Sequence, residues 1–198
     1  MKKAQGKIIV ISGPTGSGES TITRRVLEFF STMERIITAT SRSPRPTEKD
    51  GVDYYFLSLV EFRDHIAAGD FLEYIEVPSR GVYYGTLKKP IEEKRNAGIH
   101  LVGNLGWPGH SSFSRAYPGS VLSIFIKPES LSVIRDRIIK RDPTITSEEV
   151  EQRVQHAARE MQDAEHYDYV VVNKEGKMED AVEEVRGMVE SFLEKGQA

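Results

Sequence analysis

"KIIVISGPTGSGEST" (residues 7–21) joins a short apolar run to a glycine-rich loop and then to a serine-threonine pair. Residues 7–12 are rich in β-branched side chains and stop at Gly13, as a strand buried on both faces does. The loop has the spacing G-x-x-x-x-G, in which glycines let backbone N–H groups converge on phosphate oxygens at the positive end of the following helix. Gly13, Gly16, Gly18, Ser20 and Thr21 fit it, with Thr15 and Ser17 between them. Position 19 departs. Such a loop carries a lysine there, and this chain carries Glu19. One unit pair at about 4 Å is worth about 4 kcal/mol at an effective dielectric of ~20, so reversing the sign changes the local term by roughly twice that, against a bound triphosphate. A mere glycine-rich turn is the simpler alternative, but it leaves the Ser20–Thr21 pair unexplained.

Beyond the loop, residues 20–30 predict a helix with Ile22, Val26, Phe29 and Phe30 on its inner side. Further short strands are predicted at 35–40, 100–105, 121–126 and 169–173, with helical stretches between most of them. That alternation implies an α/β fold, a parallel sheet covered by helices. Residues 41–88 break the pattern with aromatic, alternating runs and one short helical stretch, and read as a small, mostly antiparallel insert. Thr146 and Glu149 form a predicted capping box, followed by a stripe of Val150, Val154, Ala157, Met161 and Ala164. The last helix repeats the stripe with Val182, Val185, Val189 and Phe192, and residues 195–198 read as a frayed end.

The 198 residues suffice for one sizeable core with a mobile insertion. A formal charge of −3, with both signs intermixed, argues against bulk binding to nucleic acid or anionic membrane, and leaves phosphorylated small ligands. The absence of cysteine excludes a disulfide framework, a thiolate metal site and a cysteine nucleophile. The basic start has only a short apolar run and no cleavage pattern, and no later run approaches spanning length, so a cytoplasmic address is expected.

A second constellation lies in "TSRSPRPTEKDGVDYYF" (residues 40–56), where Arg42 and Arg45 flank Pro44. Two permanently charged planar forks on a stiff segment suit bidentate capture of a terminal phosphate, and Tyr54, Tyr83 and Tyr84 offer hydroxyl donors. Taken alone, two such arginines are more often a solvated loop.

The order "ISGPTGSGEST", "TSRSPRP…DGVDYYF", "FLEYIEV", "YYGT", "FIKPESLSVIRDRIIKR" and "YDYVVVN" resembles the guanylate kinase family as far as about residue 190. The resemblance implies a P-loop NTPase-type core from residues 1–40 and 87–198, a helical lid at about 136–160, and a GMP-binding insert at 41–86. It implies transfer of the γ-phosphoryl of ATP to GMP. It also implies GMP phosphate held by Arg42, Arg45, Tyr54 and Tyr84, and guanine read by Glu73, Thr38 and Thr86. Glu73 suits guanine chemically, since a carboxylate accepts from the ring N–H and the exocyclic amine together. On the donor side the resemblance implies ATP phosphates met by Arg137, Arg141 and Arg153, Asn173 near adenine, and Mg²⁺ held by phosphates, water and the Ser20 hydroxyl. Arg42, Arg137 and Arg153 would stabilise transferred charge, with Glu19 at the altered lysine position.

The chain also departs from that family at "GNLGWPGH" (residues 103–110). The family has an acidic pair there, and this chain has Asn104 and Gly106, with Pro108 following. The segment 74–82 is about two residues longer than usual, which suggests Pro78 and Arg80 beside the acceptor pocket. Three readings stay open at this stage: a guanylate kinase, a catalytically degenerate relative that binds GMP or a phosphorylated partner, and a kinase for another phosphorylated acceptor. One compensatory reading has the Glu19 carboxylate replacing part of the missing acidic pair.

Overall fold

In the computed structural model, which describes residues 4–78 and 80–195, strand β1 (Ile8–Ser12) is buried along its whole length. It is the middle strand of a five-stranded sheet that also contains β2 (Met33–Arg35), β7 (His100–Asn104), β8 (Val121–Pro128) and β9 (Tyr169–Asn173), in the order β2-β7-β1-β8-β9. Every pairing in it is parallel. Alternate residues of β1 serve different faces, as strand geometry requires. Ile9 and Ile11 pack with Ile22 and Val26 of α1 (Glu19–Phe29) and with Val182, Val185 and Val189 of α7 (Met178–Glu194). Ile8 and Val10 pack with Ile91 of α3 (Lys88–Asn96) and Phe113 of α4 (Trp107–Ala116). The C-terminal ends of β1 and β7 lie side by side, Ile11 opposite Asn104, and this is the edge where open parallel sheets bind ligands.

The strand predicted at 35–40 is two strands in two sheets. Arg35 ends β2, the Ile36 N–H still donates to the Val102 carbonyl at 2.8 Å, and the chain then leaves the core. Ala39–Thr40 (β3) joins a second sheet with β4 (Tyr55–Phe56), β5 (Phe71–Val77) and β6 (Val82–Leu87), in the order β4-β3-β6-β5. Two of its three pairings are antiparallel and β3–β4 is parallel. A run of β-branched residues shows a strand but not which sheet it joins. Helix α2 (Leu59–Ala68), capped reciprocally by Ser58 and Glu61, covers this sheet with Phe62, which stacks on Phe71 at 4.4 Å and lies 5.4 Å from Tyr83. Tyr83 is thus committed to packing, and its neighbour Tyr84 faces the other way.

Helices α5 (Leu131–Arg141) and α6 (Ser147–Glu160) pack on each other through Ile134, Ile138, Val150, Val154 and Ala157, a cluster of their own. The Thr146–Glu149 capping box is present. The expected stripe ends at Ala157, because the chain tightens into a 3₁₀ turn at Met161–His166. With three residues per turn, the periodicity shifts, leaving Met161 half-buried and sending Ala164 to the cluster around Phe125 and Tyr167. Phe29 is not an inner residue of α1: it is 42% exposed and lies under the Arg186 guanidinium at 5.0 Å, while Phe30 packs on the core. Of the predicted frayed end, residues 196–198 lie outside the described residues. No described helix is long and apolar enough to cross a membrane.

These two phenylalanines make a paired prediction. Phe62→Ala should cost about 3–5 kcal/mol of stability, because a fully buried ring leaves a cavity, whereas Phe29→Ala should cost less than about 1 kcal/mol. Chemical denaturation midpoints measure both.

Candidate active site

Residues 13–18 connect β1 to α1 with Gly16 at φ 86° and Gly18 at φ 94°, both in the left-handed region that favours glycine. A Cβ on Gly18 would also stand 2.5 Å from Asn173 Nδ2 and 2.8 Å from Met178 Cε. The loop's carbonyls are tied down. Asn173 Nδ2 donates to the Ser17 carbonyl at 2.6 Å, and Arg137 Nη1 donates to the Gly16 carbonyl at 2.9 Å. The first amides of α1 have no carbonyl a turn earlier to accept them, and Ser20 and Thr21 line an open cleft of about 440 Å³. Thr15, Gly16, Gly18, Glu19, Arg137, Arg141 and Asn173 line it too. Ser17 is buried behind it, and a side chain at Gly13 would collide with Ser17 and the Ile126 carbonyl. Asn173 is fully buried, and its Oδ1 has no hydrogen-bond partner among the described residues.

Glu19 is half-buried at the head of α1. Burial, and then the neighbouring Glu160 charge, push its carboxyl up to about 7. About half of the Glu19 carboxyls are therefore protonated at neutral pH, and the expected repulsion is reduced accordingly. Burial likewise pushes the nearby Tyr167 hydroxyl up to about 12, with Glu19 and Glu160 adding to the effect. Cations surround the cleft from elsewhere. Arg137 reaches it from α5 while pairing with Glu175 at 3.0 Å, Arg141 stands one turn on, and Lys174 follows Asn173 at the end of β9. Sequence reasoning missed Lys174, whose signal was a basic residue directly after the asparagine of "YVVVN".

The second cavity, about 630 Å³, is lined by Thr38, Tyr54, Glu73 and Tyr84 from the smaller sheet and by Asn104, Gly106 and Pro108 from the core. A register shift between Phe71 and Glu73 sets Glu73 opposite Thr86. The buried Thr86 hydroxyl donates to Glu73 Oε1 at 2.6 Å. Burial raises the Glu73 pKa, and the Thr86 bond opposes that rise. Arg42 Nε donates to the Tyr84 hydroxyl at 3.3 Å, its guanidinium lies 5.1 Å from the Tyr54 ring, and both Nη atoms are engaged by Glu48. Glu48 escaped sequence reasoning too, although it stands three residues beyond Arg45.

Not every expected residue gathers here. Arg42 and Thr86 touch lining residues without lining the cavity themselves, the Arg45 side chain is exposed and does not line it either, and Arg153 is exposed on α6 near Asp142 and Glu149. Pro78 and Arg80 stand in the β5–β6 turn and, among the described residues, are not part of the cavity wall. Asn104 Nδ2 donates to the Ile11 carbonyl at 3.1 Å and to Thr23 Oγ1 at 2.8 Å, and Thr23 in turn donates to the Glu19 carbonyl at 2.9 Å. Gly106 caps α4, so the amino end of a helix borders the cavity where the resemblance implied carboxylates. Glu19 lines the loop cleft together with Ser20, and not this cavity.

The guanylate kinase family model matches residues 5–192. The guanylate kinase of Bacteroides thetaiotaomicron is 40% identical over 195 residues, covering 98% of this chain and 94% of that protein. That of Salinibacter ruber is 38% identical over 187 residues, covering 94% and 96%. Among solved structures, guanylate kinase from Anaplasma phagocytophilum superposes with a TM-score of 0.72 at 28% identity, covering 99% of this chain and 89% of that one. With a family match over nearly the whole chain, and relatives 38–40% identical that it covers almost completely, this chain belongs to the guanylate kinase family.

Proposed function

We propose that this chain transfers the γ-phosphoryl group of ATP to GMP, giving ADP and GDP. The observation that carries the reading is the acceptor cavity, which combines a carboxylate held by a buried hydroxyl with two tyrosines, one of which, Tyr84, accepts a hydrogen bond from Arg42 outside the lining. Glu73 retains accepting capacity for the guanine ring N–H and exocyclic amine, with Thr38 and Thr86 beside it. Arg42, Arg45, Tyr54 and Tyr84 receive the acceptor phosphate. A phosphate monoester loses its second proton near pH 6, so the acceptor arrives as a dianion and needs no general base. One of its oxygens attacks the γ-phosphorus in line, a new P–O bond forms, and the bond to the β,γ-bridging oxygen breaks to release ADP.

Positioning and fixed charge supply the catalysis. The amides of residues 15–21 cradle the donor phosphates, Asn173 serves the adenine side, and Arg137, Arg141 and Lys174 oppose the charge that Glu19 contributes. Arg153 reaches the phosphates when residues 136–160 move as a lid over the body formed by 1–40 and 87–198, with 41–86 as the acceptor unit. The separate core of α5 and α6 supports that division. Mg²⁺ brought with ATP would be held by phosphate oxygens, water and the Ser20 hydroxyl, a hard oxygen donor that lines the loop cleft. When bound, it supplies positive charge to the β- and γ-phosphate oxygens.

Calorimetric titration with GMP and with ATP–Mg²⁺, followed by a coupled assay for ADP, tests the reading. Turnover is expected, and binding of GMP without any binding of ATP would show a degenerate relative instead. Glu19→Lys should raise kcat/KM for ATP at least tenfold, about 1.4 kcal/mol, with the GMP Kd unchanged within about twofold.

The raised Glu19 pKa gives a further prediction with a definite sign. The group is about nine-tenths ionised at pH 8 and about one-tenth at pH 6. The ratio of ATP Kd for the unmodified protein to that for Glu19→Gln should therefore be near 1 at pH 6 and rise several-fold by pH 8. Stability follows the same group: between about pH 4.5 and 7 the unfolded carboxyl is ionised while the folded one keeps its proton. Folding stability thus falls relative to Glu19→Gln across that window and levels off above it. Denaturation midpoints that track Glu19→Gln at every pH would contradict this assignment.

A further inference from the structure

The Arg42 guanidinium has five N–H donors on three edges, and the structure accounts for four of them. Nη1 and Nη2 each donate to one oxygen of Glu48, at 2.7 Å and 2.7 Å, a coplanar fork on a carboxylate. The second Nη1 hydrogen goes to the Ser43 carbonyl at 2.9 Å. Nε reaches the Tyr84 hydroxyl at a long 3.3 Å. The remaining Nη2 hydrogen lies on the same edge as the Nε hydrogen. Glu48 thus occupies the terminal edge, and the one edge left for a ligand is the side edge next to Tyr84.

Glu48 is itself fixed. Its Oε2 also accepts the Arg45 N–H at 2.8 Å, and its own N–H donates to the Arg45 carbonyl at 3.0 Å. Pro44 and Pro46 stiffen the segment on either side of Arg45. The Arg42 and Glu48 side chains are only 18% and 14% exposed, and the guanidinium lies over the adjacent Tyr54 and Phe56 rings, 5.1 and 5.6 Å from their centroids. An exposed arginine samples many rotamers, and this one is held in a single pose on three sides.

We propose that Glu48 is a positioning residue for the acceptor phosphate, clamping the terminal edge of Arg42 so that its side edge and the Tyr84 hydroxyl receive phosphate oxygens together. The inference rests on the proposed function, which brings that phosphate to Arg42. The clamp has a cost in attraction, since a carboxylate offsets the arginine charge. Its benefit is orientation, because no side-chain freedom has to be lost when the phosphate arrives. The two effects have opposite signs, so removing Glu48 decides between them.

Glu48→Gln keeps the shape of the side chain but replaces one acceptor oxygen with an amide donor, which breaks the fork. The expected result is a KM for GMP about tenfold higher, with kcat at saturating GMP within about threefold of the unmodified protein. Calorimetry should show the same loss for GMP, with guanosine and ATP binding changed less than about twofold, a pattern that general loosening of the fold would not give. Glu48→Asp retains the charge but draws it back by one methylene, and should lose most of the same affinity. In an Arg42→Lys background, which has no fork to hold, Glu48→Gln should have little further effect.

GMP binding that is unchanged or tighter in Glu48→Gln overturns the proposal, as does full affinity in Glu48→Asp, which would make charge and not orientation the operative quantity. Failure of the unmodified protein to bind GMP at all would instead sink the proposed function, and this inference with it.

Discussion

The hydrogen bond from Asn173 to the Ser17 carbonyl ties the phosphate loop to the sheet behind it. It is 2.6 Å long, fully buried, and passes through the space that any side chain at Gly18 would fill. It holds the loop against β9 and the start of α7, so the peptide planes of residues 16–18 cannot turn their carbonyls into the cleft. A loop built to present N–H groups to anions has to dispose of its oxygens, and a buried carbonyl must be given a donor. Asn173 and Arg137 provide those donors from opposite sides. Asn173 and Arg137 are therefore structural parts of the loop in their own right.

From that anchor the arrangement of the core follows. β1 has strands on both edges and helices on both faces, so it ends where it can only release the chain into the loop. β7 ends beside it, and the Asn104 amide at that end connects β1 to α1 through the Ile11 carbonyl and Thr23. The position where the family carries a carboxylate is thus a brace between the two halves of the phosphate cradle. An amide can donate to those two oxygens and an ionised carboxylate cannot.

Much of this was legible in the sequence. The strand-loop-helix unit was plain because glycine spacing, β-branched residues and helical periodicity agree within fifteen residues. The capping box at Thr146 and Glu149 and the gathering of Arg42 with Tyr54 and Tyr84 are similarly local or motif-borne. What was not legible depended on the third dimension. The run at 35–40 crosses from one sheet to another with no change in composition, and Phe29 looks interior until Arg186 covers it. Met161 and Ala164 continue an apolar stripe on paper while the helix tightens beneath them. Arg153 and Arg45 match a motif, yet each is exposed, since a motif records residue type and spacing and not where the fold leaves the side chain. Lys174 and Glu48 were missed for the opposite reason: each is an ordinary charged residue until the fold gives it a neighbour.

Two glutamates stand beside the two cavities, Glu19 in the loop cleft and Glu48 behind Arg42, and their contrasting states show what the fold does with one kind of side chain. Glu48 accepts from Arg42 and from the Arg45 backbone, and those bonds hold its carboxyl down to about 2, far below the usual range. Glu19 has no cation paired with it among the described residues, and burial and then the Glu160 charge raise its carboxyl to about 7. One is a permanent anion whose charge is already matched, and the other is an acid that takes up a proton near neutrality. Neither therefore confronts an arriving phosphate with a full, free negative charge. The acceptor side keeps its arginine at the expense of one edge, and the donor side keeps its loop by letting burial neutralise part of the reversed charge. A lysine at position 19 would have brought its cation to the phosphates directly. Here the positive charge has to come from Arg137, Arg141 and Lys174, which reach the cleft from two other elements, so the loop's hold on a triphosphate depends on how those elements close around it.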